Sequence, residues 1–466
     1  MTGFPLIIVF VIAIIVMILA ISKLKIHPFL SIMVVSLVFG LVAGIPLNNV
    51  TKDGTTTLGI ANVIGAGFSG TFTNIGIVII LGALVGTILE ATGAAFRLAD
   101  MVIKLVGPKR PVLAMQLMGW VVSIPVFCDS GFVILDPIRK ALVKKTRVSS
   151  VAMTVALSLG LYASHVFIPP TPGPIAAANT LYEGAGQSVN LLLVMGLGAL
   201  VSIPALIGAY IFAAAVGKSV KSQEDVDIEG ATKSYEEIKA SYGKLPGGFI
   251  SLAPIIVPIV LMALGSIAAM AKWTGAALAI FSFLGTPIIA LAVGVLFGVL
   301  QIAQTGKLNK FYDITNETLK VVGPILFITA AGGVLGRVIA STDIVNFIKT
   351  NADYLAAVGI FFPFLLSAIL KTAQGSSTVA LTTTAGIVAP LLGVLGLESP
   401  ARIALTVMAI GAGAMTVSHA NDSYFWVVTN FGGMTPEQGY KTQTLGTLVE
   451  GLCGMLGVFI LSLFIR

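Results

Sequence analysis

The chain has 466 residues, of which 56% are hydrophobic and 10% are charged, and its mean hydropathy is +1.01. This composition excludes an ordinary soluble protein, and the length matches about ten membrane spans of roughly 20 residues each. The net charge of +7 does not indicate a nucleic-acid partner, because most Lys and Arg residues lie in loops between apolar stretches. Cys128 and Cys453 both lie in apolar stretches, so no disulfide framework is expected.

Residues 1–217 are predicted to form a first transmembrane repeat, without a cleavable signal sequence. Its apolar stretches predict spans at 4–22, 29–46, 75–92, 148–165 and 190–214. The Gly-rich segment 59–74 indicates a short, imperfect helix, and residues 94–106 have the mixed pattern of an interfacial helix. Residues 112–143 are apolar but are interrupted near Asp129.

Residues 218–246 form the one long hydrophilic stretch of the chain. Such a stretch cannot lie in lipid, so we predict a cytoplasmic linker there and a second transmembrane repeat over 247–466. The second repeat has predicted spans at 248–270, 277–303, 321–341, 401–430 and 442–465, an amphipathic segment that runs to about 353, and an interruption within 356–391.

Short sequence matches indicate that the two halves are related. Gly82-Ala83-Leu84-Val85-Gly86 matches Gly332-Gly333-Val334-Leu335-Gly336 in spacing and residue size, and Ser164-His165 matches Ser418-His419. The stretch 97–147 is rich in Lys and Arg, whereas its counterpart 343–402 has only Lys349, Lys371 and Arg402. The positive-inside rule places the first stretch in the cytoplasm and the second outside, so the repeat is predicted to be inverted.

Both interruptions are predicted to be re-entrant hairpins. An arm over 112–126 would be roughly 22 Å long as a helix, which is shorter than the roughly 30 Å hydrocarbon core. The tips then lie at 125–131 and 373–378. Basic residues lie on both sides of the first hairpin, so both of its ends face one side of the membrane: Lys109, Arg110, Arg139 and Lys140.

The polar, helix-breaking segments fall at matching places in two apolar halves, which is typical of the binding site of a secondary transporter. A hairpin tip exposes backbone N–H groups at the start of its second arm, and these groups attract an anion. Ser376, Ser377 and Thr378 add hydroxyl donors at the second tip. Lipid cannot satisfy these groups, so they are expected to line a wet cavity that suits a small carboxylate.

The charged residues at the breaks have two interpretations each. Asp129 and Asp422 are good N-caps for the helices that follow them, and they are also ionisable groups at membrane depth, where function is the default hypothesis. His165 and His419 each end a small-residue helix; each either bonds freed carbonyls as a neutral ring or takes part in coupling or binding.

The sequence leaves the roles of three further charged residues undecided. Lys371 either pairs a carboxylate near the second tip or extends toward the membrane interface. Glu90 and Arg337 lie deep in the third span of each half, where they either pair with each other or serve the site. The glycine pairs Gly82/Gly86 and Gly332/Gly336 are most simply explained by close helix packing.

The chain resembles the gluconate permease family of gluconate–proton symporters and their relatives. The resemblance rests on motifs that run in the family's order over nearly the whole chain: Gly67-Phe68-Ser69-Gly70-Thr71, Pro125-Val126-Phe127-Cys128-Asp129-Ser130-Gly131-Phe132, Pro169-Pro170-Thr171-Pro172-Gly173-Pro174, Ala373-Gln374-Gly375-Ser376-Ser377-Thr378-Val379-Ala380 and Ser418-His419-Ala420-Asn421-Asp422-Ser423. Family members similar to the gluconate carriers often have His where this chain has Thr171. This departure affects the choice of gluconate and leaves the transport class intact.

The resemblance implies proton-coupled import of a small hydroxy-carboxylate across a bacterial-type inner membrane, with D-serine and other sugar acids as family alternatives. We therefore expect an all-α, multi-pass membrane protein with two inverted repeats of about five spans, each with a re-entrant hairpin and a broken helix. The predicted substrate-binding residues are Ser130, Gly131, Thr171, Lys371, Gln374, Ser376, Ser377, Thr378 and Asn421, and the predicted coupling residues are Asp129, His165, His419 and Asp422.

Three rival functions remain. A sodium-coupled carboxylate carrier would use the same unwound segments, with Na+ in place of H+ as the coupling ion. An anion channel would conduct without coupling to a gradient. An intramembrane enzyme is disfavoured, because the sequence has no nucleophile–base pair, no metal-ligand spacing and no phosphate-binding loop. No cofactor, metal or nucleic-acid partner is expected, and a homo-oligomer is compatible with the sequence.

Overall fold

The computed structural model describes residues 3–52, 55–107, 110–226, 237, 245–270, 273–343, 359–419 and 422–465. These residues are almost entirely helical, and their only sheet is an antiparallel pair, β1 Val50–Lys52 and β2 Thr55–Thr57. Seven of the described helical stretches are long and apolar enough to cross a membrane, or eight if a pair bent by 77° counts as one span. The predicted multi-pass, all-α membrane class is confirmed.

The first half of the chain contains helices α1 to α11. Their bounds are α1 Phe4–Ser22, α2 Pro28–Ala43, α3 Ile60–Thr71, α4 Ile77–Thr92, α5 Ala94–Val106, α6 Pro111–Val122, α7 Cys128–Thr146, α8 Ser150–Phe167, α9 Pro172–Gly184, α10 Leu191–Ser219 and α11 Gln223–Val226. The bent pair is α4 and α5, and α5 is the predicted interfacial helix.

The second half contains helices α12 to α21. Their bounds are α12 Gly248–Met270, α13 Gly275–Gly285, α14 Pro287–Gln304, α15 Phe311–Ala340, α16 Phe361–Gln374, α17 Ser377–Val388, α18 Pro400–Met415, α19 Ser423–Phe431, α20 Pro436–Gly439 and α21 Leu445–Phe464. Most of the predicted linker 218–246, and the predicted amphipathic segment up to about 353, lie outside the described residues.

The Gly-rich segment 59–74 contains the predicted short helix, α3, which continues into the next helix. A π-helical turn over Phe72–Gly76 joins α3 to α4, so the chain is helical without a gap from Ile60 to Thr92. The glycines serve packing here: a Cβ atom on Gly67 would lie 2.8 Å from Cα of Val334. Because close contact with α15 stabilises the helix, glycine does not end it in this place.

Two predicted spans of the second half have different bounds in the structure. The prediction 277–303 is divided between α13 and α14, because Thr286 precedes Pro287 and cannot adopt the helical conformation easily. The prediction 321–341 is too short, since α15 begins at Phe311. The first turns of this helix carry exposed charged residues, and Lys320 and Glu317 form an ion pair of 2.7 Å there.

The order of elements is the same in both halves. A long helix is followed by a hairpin of two short helices, then by a helix that breaks, and then by a long final helix. The hairpins are α6–α7 and α16–α17, and the broken helices are α8–α9 and α18–α19. The repeated order agrees with the predicted repeat, whereas its inversion across the membrane stays a prediction.

The paired glycines bring the long helices against the hairpins and breaks. A Cβ on Gly82 would lie 2.7 Å from the Pro170 carbonyl oxygen, and a Cβ on Gly336 would lie 2.6 Å from that of Gly386. Gly86 similarly abuts the carbonyl of Pro125 at the first tip. Since any side chain would force these elements apart, small residues at these positions determine how closely the long helices approach the breaks.

A buried ionic cluster joins the first hairpin to the start of the linker. Arg139 of α7 is fully buried and pairs with Asp136 at 2.6 Å and with Glu224 of α11 at 2.8 Å. Lys140 pairs with Asp136 at 2.9 Å, and Ser150 at the start of α8 donates to Glu224 at 2.6 Å. Burial acts to raise the pKa of Glu224, but the hydrogen bonds and charge of Arg139 outweigh it and hold the pKa below its usual value.

Replacing Glu224 by Gln is expected to lower the free energy of unfolding by about 2 kcal/mol, because a charge-assisted pair with a fully buried guanidinium is lost. Since the folded pKa is lowered, the wild-type contribution is present at neutral pH and is lost as the pH falls through that pKa. Thermal unfolding in detergent at several pH values measures both effects. Glu317→Gln, in an exposed ion pair, is the matched control and is expected to change little. Equal stability of the two variants at neutral pH would contradict the structural importance of the cluster.

Candidate functional site

A cavity of about 420 Å³ lies where the two hairpin tips meet the two helix breaks. The first hairpin contributes Phe127, Cys128 and Asp129, and the second contributes Gly375, Ser376, Ser377, Thr378, Val379 and Thr382. The breaks contribute Tyr162, His165, Asp422, Ser423 and Tyr424, and α15 contributes Val321, Pro324, Ile325 and Ile328. Segments that are far apart in the sequence therefore form one site.

The tip of the second hairpin is shaped by Gly375, which ends α16 with φ +90°. This left-handed conformation favours glycine, because a side chain would be strained there. Ser376 then caps α17, and its hydroxyl accepts a hydrogen bond from the Val379 amide at 3.3 Å. The first turn of α17, with Ser377 and Thr378, borders the cavity at the positive end of the helix dipole. This arrangement is suited to an anion.

A buried ion pair connects the second hairpin to the second break. Lys371 is fully buried, and its ammonium group lies 2.6 Å from Asp422 Oδ2 and also donates to the Gly375 carbonyl. Asp422 accepts from the Ser418 hydroxyl at 2.5 Å and from the Tyr424 amide at 3.1 Å, so it also caps α19. Asp422 is therefore the N-cap of α19, and its part in coupling stays a prediction. Lys371 pairs with this carboxylate and does not extend toward the membrane interface.

Asp129 is at the second position of α7 and faces the cavity. Phe127 occupies the N-cap position, so Asp129 is not the N-cap of this helix. Its carboxylate accepts a hydrogen bond from the Ser423 hydroxyl at 3.3 Å and a weak one from the Cys128 thiol at 3.8 Å. No ion pair with Asp129 is found among the described residues. Asp129 is thus the carboxylate most accessible to a ligand.

The two matched histidines have different surroundings. His165 is buried and borders the cavity, and its Nδ1 atom has no hydrogen-bond partner in the described part of the chain. His419 lies 2.9 Å, through Nε2, from the carbonyl of Thr372. His419 therefore joins the second break to the first arm of the second hairpin, whereas His165 is directed to the site.

Four predicted substrate ligands are not among the residues that line the cavity: Ser130, Gly131, Thr171 and Lys371. Lys371 pairs with Asp422 instead. Ser130 is hydrogen-bonded to Glu90, and Gly131 packs against the Leu161 side chain. Thr171 is buried and donates to the carbonyls of Ile168 and His165 at 2.8 and 2.9 Å. It thereby satisfies the carbonyl groups that the first break frees. That these residues take part in substrate binding stays a prediction. Gln374, another predicted ligand, is the last residue of α16. Asn421 lies outside the described residues.

Glu90 and Arg337 do not pair with each other in the described structure. Glu90 contacts the first hairpin through Ser130. Arg337 is exposed and lines two other cavities, of about 390 and 440 Å³, on the side of α15 that faces α3 and its preceding loop. Glu90 therefore supports the first hairpin, and Arg337 lies outside the site.

Sequence reasoning missed two aromatic residues of the site. Tyr162 lies nearly parallel to His165, with ring centroids 6.4 Å apart, and Lys371 lies 5.8 Å from its ring centre. Tyr424 donates its hydroxyl to the Ser158 carbonyl at 2.9 Å. Their positions beside the two Ser-His breaks were the available signal. No sequence signal indicated that α15 lines the cavity around Pro324, because the residue pattern of a helix does not identify the helix that it packs against.

Replacing Lys371 by Met is expected to lower the free energy of unfolding by about 3 kcal/mol or more, because Asp422 is left buried without its cation. The double variant Lys371→Met with Asp422→Asn removes both charges and is expected to lose less than the sum of the two single variants. Apparent melting temperatures in detergent measure this coupling. Lys320→Met, at an exposed position, is the control. Additive losses would show that the two charges do not depend on each other.

Comparison with known proteins shows the family of this chain. The model of the GntP family permeases matches residues 4–464 of the chain. The D-serine transporter DsdX of Escherichia coli K12 is 31% identical over 458 residues, which cover 97% of each protein. The high-affinity gluconate transporter of the same organism is 28% identical over 464 residues, which cover 99% of this chain and 100% of the relative.

A solved transporter shares the fold. The crystal structure of YdaH from Alcanivorax borkumensis matches 94% of this chain and 97% of its own with a TM-score of 0.65, at 16% sequence identity. The likeness therefore concerns the architecture. A match of the family model over nearly the whole chain, together with full-length relatives that are transporters, makes this protein a multi-pass bacterial membrane permease of the GntP family.

Proposed function

We propose that this permease imports gluconate or a related small hydroxy-carboxylate by proton symport. The observation that carries the proposal is that the first turn of α17, with Ser377 and Thr378, lines the same cavity as Asp129. The donors would bind the carboxylate of the substrate. Ser423 and His165 line the same cavity and would bind the hydroxyl groups of the substrate.

The charges around the cavity support coupling to a proton. Asp129 and Asp422 carry two negative charges when ionised, and Lys371 supplies one positive charge, so the ionised site is negative overall. An anionic substrate would be repelled by this site. Uptake of one proton by the protein together with the substrate would offset the negative charge that the substrate adds, which links binding of the two.

A second substrate class is favoured by one observation. Asp129 has hydroxyl and thiol partners but no ion pair in the described structure, so an ammonium group of a substrate would be well placed beside it. D-serine carries such a group together with a carboxylate and a hydroxyl, and a relative that is 31% identical transports it. Thr171, where gluconate carriers often have His, leaves room for this alternative.

Uptake of labelled gluconate, glycerate and D-serine into proteoliposomes tests the function directly. We expect accumulation of one of the three when a pH gradient is imposed without sodium. Empty liposomes and a gradient-free sample are the controls. Accumulation that requires a sodium gradient would show that sodium, not the proton, is the coupling ion. Flux that is neither saturable nor coupled to a gradient would indicate a channel. Exclusive use of D-serine would assign Asp129 to its ammonium group.

Thr378→Val tests the anion-binding tip, because it removes a hydroxyl and keeps the side-chain shape. Loss of one hydrogen bond to a charged group is expected to raise the KM of uptake about tenfold, with kcat little changed. Thr384→Val is the matched control: Thr384 lies in the same helix, does not line the cavity, and is fully buried, with a hydroxyl that has no partner in the described structure. Equal KM values for the two variants would place the carboxylate elsewhere.

A further inference from the structure

One carboxylate of this protein is buried away from the cavity and has no partner. Glu450 of α21 is fully buried, and neither of its carboxylate oxygens has a hydrogen bond in the described structure. It lies within Pro436–Phe464, one of the helical stretches apolar enough to cross a membrane, and more than a full turn inside the apolar helix α21. Burying an ionised carboxylate without a partner costs several kcal/mol, and binding a proton removes most of that cost.

Among the residues that the structure describes, no cation compensates Glu450. The helices that pack against α21 are α8, α10 and α18, together with the preceding π-helical turn Tyr440–Thr444. Their charged groups lie elsewhere: Lys218 and Lys441 are exposed at helix ends, Arg402 donates to the Gly396 carbonyl, and His165 borders the cavity. The titratable groups that interact electrostatically with Glu450 are Tyr424 and Cys453.

Glu450 is connected to the substrate cavity through α21. Thr447 lies one helical turn before it and accepts a hydrogen bond from the Ser418 amide at 2.9 Å. The Ser418 hydroxyl donates in turn to Asp422, which lines the cavity. Thr444 donates to the Ser418 carbonyl at 2.6 Å. Both backbone groups of Ser418, at the second break, are therefore held by the helix that carries Glu450.

A second connection runs through Tyr424. Tyr424 lines the cavity and donates to the Ser158 carbonyl, and the Ser158 hydroxyl donates to Gln443 at 2.7 Å. Gln443, Thr447 and Glu450 follow the spacing i, i+4, i+7, so they share one buried face of the helix. The Nε2 group of Gln443 also lacks a partner among the described residues. A buried polar face thus extends from the π-helical turn to Glu450, and π-helical turns often mark functional positions.

We propose that Glu450 binds the co-transported proton, and that its protonation state is transmitted to the second break through Thr447 and Ser418. The proposal rests on proton symport as the function of this permease. Glu450 does not touch the substrate in this arrangement; it is a positioning residue that controls the break. With the proton bound, Glu450 is neutral and stable at membrane depth. Without it, the ionised carboxylate favours a conformation in which α21 and the break admit water or a cation.

The variant Glu450→Gln imitates the protonated state permanently and has nearly the same shape. We expect accumulation of substrate under a pH gradient to fall at least tenfold, whereas exchange of substrate across the membrane without a gradient stays within about twofold of wild type. Proteoliposome uptake and counterflow measure the two quantities. Glu437→Gln is the matched control, since Glu437 is exposed in α20, just before the π-helical turn that leads into α21, and is expected to leave both quantities unchanged.

The outcomes distinguish failure of the proposed role of Glu450 from failure of proton symport as the function. If wild type accumulates substrate under a pH gradient and Glu450→Gln does so equally well, the role of Glu450 is overturned and proton symport stands. If wild type shows no pH-driven accumulation, both are overturned. Glu450→Asp retains a carboxylate and is expected to keep coupling with a displaced pH midpoint. An unchanged midpoint in that variant would also contradict the proposal, even if Glu450→Gln failed to fold.

Discussion

The structure depends on one constraint: backbone groups that leave a helix inside the membrane must find partners within the protein, because lipid offers none. At the first break, Thr171 donates to the carbonyls of His165 and Ile168. At the second hairpin, Lys371 donates to the Gly375 carbonyl. At the second break, Thr444 and Thr447 bind both backbone groups of Ser418. These polar side chains make an interrupted membrane helix possible.

The same constraint explains why the site is polar and where it lies. Side chains that satisfy the freed backbone groups bring hydroxyls, an ammonium group and carboxylates to the hairpin tips and breaks. Groups that remain beside the cavity, such as Ser377, Thr378 and Asp129, are then available to a ligand. The glycines of α4 and α15 complete the arrangement, since they allow long helices to approach the breaks closely. Structural support and ligand binding thus use the same short segments.

The buried charged side chains of the described structure differ in whether an opposite charge compensates them. Asp422 is compensated by Lys371, and Arg139 by Asp136 and Glu224, so each of these pairs is a fixed connection between segments. Glu450 has no such compensation in the described structure. A paired charge has little reason to change its protonation state, whereas an isolated carboxylate in a low-dielectric region is sensitive to a single proton. This difference distinguishes the paired charges, which connect segments, from Glu450, the proposed proton-binding group.

Much of this protein could be predicted from local sequence patterns. Hydropathy indicated the membrane class and most of the spans, and helix-breaking residues marked both hairpin tips and both breaks, because each of these signals is contained within a few neighbouring residues. The glycines at 65, 67 and 70 indicated a short helix, which is α3, but not its neighbour. Gly67 lies against Val334 of α15, more than 250 residues away, and local composition carries no sign of this contact.

The sequence by itself determined that this is a multi-pass membrane protein of a recognisable transporter family, with polar interruptions at matching places in its halves. Only the tertiary structure decided which polar groups meet. It paired Lys371 with Asp422 across 51 residues, turned Thr171 toward backbone carbonyls and enclosed Glu450 without a partner. The physical reason is that hydropathy and helix breaking act between near neighbours in the chain, whereas the fate of a buried charge depends on groups that only the packed helices bring within reach.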